Sequence, residues 1–403
     1  MPWTLKMILY TFGLALIPYI YTSWRLINAF TLIYPKYRRS FRIGIPLIFT
    51  LFNLMPVIAV IFYLFGEYRS LFFYSDQFST FDIFLLYPYW ISLIIIVESF
   101  PYLLATDILL LISRWFSLTI KANLVRALAL VKIVVFVFIV IFVPIRIYID
   151  TNAVDISTYE VPIKRLPPEI EQLSLVLTAD VQVDRFTPQG KIARFIKQVE
   201  SLSPDIIFFA GDLVTDGTSF IDEGVRSLCR IGGTVDRIAC VGDHDIWSDA
   251  NRIAQGLQQC GWKFLDDRHH IIEQGDKRIL VTGVSFVYSK RISPPRLEAL
   301  LASAPEADLK ILLVHQPKKM IINTASKYGY DLVLAGHTHG GQIIFRPFGF
   351  TLTPTQMEND IYSGMYRQNG VTVIITNGIG MSLVPIRYRA KGEIVHIKLV
   401  NQN

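Results

Sequence analysis

Cysteine is scarce: 403 residues contain three, Cys229, Cys240 and Cys260, and none has the spacing of a metal motif. Their odd number leaves at least one outside any intrachain disulfide. Charge is also low, with 18% of residues charged against 52% hydrophobic and 13% aromatic, and mean hydropathy is +0.41. That balance excludes a single ordinary soluble domain. No internal repeat and no low-complexity tract is present. Long apolar runs are missing after residue 150, and the surplus of apolar residues lies almost wholly before it.

Four of those early runs are long enough to cross a bilayer, which needs about 20 apolar residues. They are Met7–Ile27, Ile43–Phe65, Ile83–Ser113 and Ala127–Arg146. The third exceeds one perpendicular span, so tilt or a break at Pro101 is expected. An α-helical membrane domain of four transmembrane helices therefore occupies 1–146. Arg25 at the end of the first run and Lys36, Arg38, Arg39 and Arg42 after it are basic, as are Arg114, Lys121 and Arg126 after the third. The loop between the second and third has Arg69 against Glu67, Asp76 and Asp82. Basic loops stay in the cytoplasm, which places the chain after residue 146 outside it; miscounting one span would reverse that. Lys132 is expected to snorkel toward the cytoplasmic surface. "YRRSFR" (37–42) reads as a positive-inside anchor rather than a twin-arginine export signal, because an earlier span precedes it. The net charge of +6 mostly reflects these flanking cations, so the bilayer and not nucleic acid is the expected partner. Glu98 and Asp107 are costly in hydrocarbon and are expected to contact neighbouring helices or water.

Residues 147–172, with "RLPPEIEQ", read as a linker. From 173 to 403, short apolar runs alternate with amphipathic segments. The expected strands are 173–178, 205–209, 238–241, 279–282, 311–314, 332–334, 371–376 and 394–399. Helices are expected over 188–202, 248–260, 295–303 and 318–327, with Pro188 in a first turn and Ser248 as an N-cap. Such alternation specifies a layered α/β domain.

The carboxyl ends of these strands carry the chemistry. "TADVQVD" supplies Asp180 and Gln182, "AGDLVTDG" Asp212, and "VGDHDIW" Asp243, His244 and Asp245. "LLVHQP" adds His315, and "LAGHTHGGQ" adds His337 and His339. An Asp ending one strand is usually a turn or cap residue. Five strand ends together, at the edge where α/β sheets bind ligands, make a metal-ligand cluster. Mixed carboxylate and imidazole donors suit two hydrolytic divalent metals such as Mn²⁺, Fe or Zn²⁺ better than Ca²⁺ or a thiolate-bound ion.

The order of these motifs resembles the calcineurin-like metallophosphoesterase superfamily from about residue 173 onward. "GHTHGGQ", "YSGMY", "ITNGIG" and "PIRYRAKGEI" look most like its membrane-attached branch. The resemblance implies a β-sandwich flanked by helices, with two divalent cations. One would be held by Asp180, position 182, Asp212 and His339; the other by Asp212, position 243, His315 and His337. It also implies that His244 acts beside the phosphate, with Asp245 orienting that imidazole or capping a helix. Two positions depart from the family pattern: Gln182 stands where the family has His, and Asp243 where it has Asn. Gln182 should loosen the first site or favour Mg²⁺ or Mn²⁺ there, whereas Asp243 adds charge that attracts cations and repels phosphate.

The expected activity is hydrolysis of a phosphoester or diphosphate by a metal-activated water, with lipid-linked substrates among the candidates. The alternative is a degenerate member that only binds. Arg387 is a candidate phosphate contact or a surface ion pair, and Gln342 a candidate ligand contact or a turn residue. Phe345, Arg346, Phe348 and Phe350 form an interfacial lip or a packed hairpin, and His269 and His270 read as surface or edge residues.

Overall fold

The computed structural model describes residues 1–67, 77–113, 118–164, 166–232 and 236–402. Arg69, Asp76 and Arg114, used above for orientation, lie outside the described residues. The chain divides into two compact units, Met1–Ile149 with Phe345–Leu352, and Asp150–Ile344 with Thr353–Asn403.

Apolar segments can cross a bilayer as helices because every interior backbone group is then bonded within the segment. The first unit is helical accordingly: α1 (Trp3–Ile33), α2 (Arg38–Phe52), α3 (Leu54–Leu64), α4 (Tyr87–Ile112) and α5 (Leu118–Asn152). Among the described residues three helices are long and apolar enough to span, and the bent pair formed by residues 35–52 and α3 would make a fourth. The second expected span is thus broken, by 44°, at Asn53. Pro56 explains the break, since its ring displaces the carbonyl four residues earlier. Pro101, the expected break in the third, instead sits inside α4 without interrupting it.

Lys132 does not snorkel. It is buried, and its Nζ lies 2.9 Å from the Asp107 carboxylate, which also pairs with Arg25 at 2.5 Å. Asp107 thereby ties α1, α4 and α5 together through opposite charges. Phe345–Leu352 groups with these helices, and the Phe348 ring centroid is 5.0 Å from that of Tyr102.

The second unit has two six-stranded sheets. One runs β1 (Val154–Lys164), β12 (Gly392–Gln402), β2 (Ser174–Thr178), β3 (Ile206–Phe209), β4 (Asp236–Ala239) and β5 (Lys263–Phe264). The other runs β10 (Gly364–Gln368), β11 (Val371–Ile375), β9 (Leu332–Ala335), β8 (Leu309–Val314), β7 (Lys277–Val284) and β6 (Arg268–Gln274). Strands β2 to β5 are parallel, as are β7, β8, β9 and β11. Alternate side chains from both sheets meet between them: Leu175, Leu177, Phe208 and Ile238 pack with Val281, Ile311, Leu313 and Leu334. The opposite faces pack under helices, Phe209 with Phe195 and Leu257 on one side and Leu312 with Leu297 and Ile321 on the other. Parallel strands covered on both faces read as continuous apolar runs, as "IIFF" and "LVLA" do here.

The expected linker is structured. β1 lies within it and pairs in parallel with β12 along 11 residues, from Val154 with Gly392 to Lys164 with Gln402. The helix Ala250–Gln259 is capped by Asp249, whose carboxylate accepts from the Arg252 amide, rather than by Ser248. Pro188 is the residue before the helix Gln189–Ser201 rather than part of its first turn. A disulfide joins Cys229 to Cys260, and Cys240 is free and buried.

Candidate metal centre

The carboxyl ends of β2, β3 and β4 in one sheet and β8 and β9 in the other converge on one cluster. Five of its residues, Asp180, Gln182, Asp212, His337 and His339, have positive φ between 49° and 73°. A non-glycine residue held there costs roughly 1–3 kcal/mol, so surrounding contacts must impose it. They do: the Asp180 amide donates to the Gly211 carbonyl at 2.8 Å, and the His337 amide donates to Asp180 Oδ2 at 3.0 Å. Glycine is needed where turns cross. A Cβ on Gly242 would meet Asp212 Oδ1 at 2.1 Å, and one on Gly340 would meet Asn377 Oδ1 at 2.2 Å. The second of these answers why glycine follows "HTH": the turn passes against the loop after β11.

His315 Nε2 lies 3.2 Å from Asp212 Oδ2 and 3.3 Å from Asp243 Oδ2. His337 Nδ1 is 3.0 Å from Asp243 Oδ2, and His339 Nε2 is 3.5 Å from Asp180 Oδ1. Two triads, Asp243–His315–His337 and Asp180–Asp212–His315, each place one ligand atom per residue within 4.8 Å of the others. All six side chains are buried or nearly so.

The donor set fits cations. Asp180 Oδ1, Gln182 Oε1, His315 Nε2 and His339 Nδ1 are all buried without a hydrogen-bond partner, although such atoms are normally satisfied. Burial, reinforced by Asp212, pushes the Asp180 carboxyl up to about 7. Burial opposes a charged His315, yet Asp212 and Asp243 hold its imidazole well above its usual range. Burial likewise opposes ionisation of Asp243, and bonding to His315 and His337 overcomes it, leaving the carboxyl well below the usual range. The Nδ1 of His315 donates to the Ala210 carbonyl at 2.7 Å, which leaves Nε2 as the ligating atom when the ring is neutral.

Gln182 is placed among these residues, but its Nε2 donates to Asp212 Oδ2 at 2.9 Å. Its free Oε1 is the atom able to ligate. The added charge of Asp243 is met by protein donors: Gln316 Nε2 reaches both its oxygens at 3.0 and 2.9 Å, and the Tyr288 amide donates at 2.6 Å.

His244 is positioned by the helix Asp243–Ser248. Its Nδ1 faces the Thr215 carbonyl, and its Nε2 is 3.0 Å from Ser382 Oγ and 4.0 Å from Asp212 Oδ2. Asp245 does not orient that ring. Its carboxylate accepts from the amides of Asp212, Leu213 and Gly242 at 2.8–2.9 Å, so it closes the helix start and fixes the loop carrying Asp212. Gln342 is a turn residue: its Nε2 donates to the carbonyls of Ser382, Val384 and Ile386, and its Oε1 accepts from the Ser382 amide at 3.0 Å. It thereby holds the loop that presents Ser382 to His244. Arg387 is fully buried and bonds only backbone carbonyls, so it neither faces a ligand nor forms a surface ion pair.

Several residues at the site escaped the sequence reading. Glu358 lies 3.6 Å from His337 Nε2 and accepts from Lys318 Nζ and Tyr288 Oη at 2.6 Å. Gln316, Tyr288, Trp247 and Ser382 join it. Gln316 and Trp247 had a signal, being one and two residues past motif positions; Glu358, Tyr288 and Ser382 come from loops without one.

Residues 173–341, which lie in the second unit, match the family model of the calcineurin-like phosphoesterases. Among curated relatives, a "transmembrane protein with metallophosphoesterase domain" from Danio rerio is 26% identical over 249 residues, 60% of this chain and 56% of its own length. The "uncharacterized metallophosphoesterase YkuE" of Bacillus subtilis is 22% identical over 261 residues, 64% of this chain and 89% of its own. The match to the first thus spans little more than half of that relative. A solved archaeal phosphodiesterase superposes with a TM-score of 0.30 at 14% identity, covering 51% of this chain and 84% of that one.

Proposed function

We propose that this chain is a membrane-anchored, metal-dependent phosphoesterase. The observation that carries the reading is the convergence of three aspartates and three histidines, with orphaned ligand atoms, beside His244. Asp180, Gln182 through Oε1, Asp212 and His339 would hold one divalent cation; Asp212, Asp243, His315 and His337 the other. When bound, such ions polarise phosphoryl oxygens and make water nucleophilic at neutral pH. The chain's own part is positioning and proton transfer. His244 keeps a proton on Nδ1 against the Thr215 carbonyl, so Nε2 is the atom that serves the leaving oxygen. Asp245 and Arg387 act through backbone, holding the loops that carry Asp212 and His339.

The domain shares its chain with candidate membrane helices, which favours lipid-linked phosphoesters as substrates. We place the domain outside the cytoplasm. The basic loops support that orientation, and the Cys229–Cys260 disulfide suits an oxidising compartment.

The test is the metal content of the purified chain, with Asp212→Ala alongside, followed by a phosphodiesterase assay. Near two equivalents, lost in the variant, with hydrolysis that the variant lacks, supports the proposal. Metal binding without any hydrolysis by native protein, restored on combining Gln182→His with Asp243→Asn, favours a degenerate binding protein instead.

A further inference from the structure

Two half-exposed aromatic residues stand beside the cluster, and the hydrolysis described above uses neither. Trp247 is 49% exposed and Tyr288 45%. Their rings are nearly parallel, 5° apart, with centroids 6.4 Å from each other. Each also touches the site edge-on: Trp247 meets the His244 ring at 4.8 Å, and Tyr288 meets His337 at 5.5 Å.

Both residues are anchored before any ligand arrives. The Tyr288 amide is bonded to Asp243, and its hydroxyl to Glu358, whose other oxygen is held by Lys318. Trp247 sits on the short helix that carries Asp243 and His244. Large aromatic faces left in solvent and held rigid lose little entropy on binding a flat partner. An isolated exposed aromatic residue would need no explanation. Two that share an orientation, one against the acid–base histidine and the other against the candidate ligand His337, do.

We propose that Trp247 and Tyr288 form a stacking subsite for a planar ring carried on the leaving group of the phosphoester. The direction follows from His244. Its Nε2 serves the leaving oxygen, so whatever that oxygen carries departs on the His244 side, where Trp247 begins the aromatic surface. A nucleobase or a simple aryl group has the required flat face, and stacking tolerates either because it reads shape rather than hydrogen-bond pattern. A glycerol or other alkyl leaving group gains nothing from such a surface beyond apolar contact. The inference rests on the phosphoesterase reading, since it takes the leaving-group side from it.

Equilibrium binding to the Mn²⁺-loaded full chain in detergent tests it, with inorganic phosphate, glycerol 3-phosphate, phenyl phosphate and uridine 5′-monophosphate as probes. The expected result is a Kd roughly tenfold lower for a planar probe than for glycerol 3-phosphate, consistent with one stacking contact. Trp247→Leu and, separately, Tyr288→Leu should each erode that preference, and phosphate should still bind to Trp247→Leu. Tight binding of uridine 5′-monophosphate alone identifies a nucleobase, and tight binding of both planar probes an unselective aromatic surface. Equal Kd values for planar and alkyl probes in native protein overturn the inference alone, as does a preference that survives both substitutions. No binding of any probe, phosphate included, overturns the phosphoesterase reading and the subsite with it.

Discussion

Arg387 Nη1 donates to the carbonyl oxygen of His339 at 3.0 Å, from a guanidinium with no solvent exposure. The same group reaches the carbonyls of Gly380 at 2.8 Å, Asn377 at 2.7 Å and Gly378 at 3.2 Å. Burial lowers its pKa to about 10, opposed by Asp180, so it stays charged at neutral pH. One buried cation thus gathers the turns after β9 and β11 and fixes the backbone of a candidate ligand. Replacing it with Met should destabilise the domain by about 3–5 kcal/mol, because several buried carbonyls lose their donor at roughly 1–3 kcal/mol each. Lys should not rescue, because an ammonium cannot address carbonyls in several directions through a planar fork. Denaturant unfolding of both variants checks this. Unchanged stability with weaker phosphate binding would instead restore a substrate-contacting role.

Glu358 extends the metal centre outward. Its Oε1 lies 3.6 Å from His337 Nε2, while His337 Nδ1 faces Asp243. Contacts with His337, Lys318 and Tyr288 hold its carboxyl well below the usual range against burial, so it is ionised at neutral pH. A carboxylate behind a ligating imidazole fixes the ring and raises its basicity. Glu358→Gln is expected to weaken metal binding roughly 10- to 100-fold, as loss of such partners does elsewhere. Titration of the stripped protein with Mn²⁺ measures it, and an unchanged affinity would confine Glu358 to holding Tyr288 and Lys318.

How much of this was legible in the sequence depends on whether a residue's role is local. Asp180, Asp212, Asp243, His315, His337 and His339 all end apolar strands, and strand ends in a layered α/β domain share an edge, so their meeting follows from order alone. Arg387 and Gln342 bond to backbone many residues away, and no spacing rule reports that. Asp245 is ambiguous for a related reason. Orienting His244 and capping a helix are both open to it from the sequence, and the structure shows the cap: successive helical residues point apart, and its carboxylate turns to backbone amides. β1 reads as linker because its partner β12 lies more than 200 positions on and polar residues such as Glu160 and Lys164 interrupt its apolar pattern.

The two departures from the family pattern should be separable by metal titration. Gln182 offers only Oε1 and donates to Asp212, which weakens the site it shares with Asp180 and His339. Asp243 brings a full charge to the other, already supported by Gln316 and Tyr288. Two unequal affinities are therefore expected, with the tighter site lost in Asp243→Ala and the weaker one strengthened in Gln182→His. Binding at a hundred times Kd stabilises a fold by about 2.7 kcal/mol, so each site also has a thermal-shift signature. Equal affinities in native protein would show that Gln182 ligates as well as a histidine.

Asp107 supplies a test of the membrane unit that does not involve catalysis. It pairs with Arg25 on one helix and Lys132 on another. Removing its charge in Asp107→Asn leaves two cations without a counter-charge where hydration is poor, whereas Lys132→Met removes one cation and leaves the Arg25 pair intact. The first change should lower stability in detergent by about 3 kcal/mol and the second by distinctly less, because an uncompensated charge is the larger penalty. Combining the Asp107 and Lys132 substitutions should recover part of the loss, since only one cation is then unpaired. A double-mutant cycle on thermal inactivation reads the coupling directly. Additive losses would mean that Asp107 and Lys132 act independently and that the helices are held by packing alone.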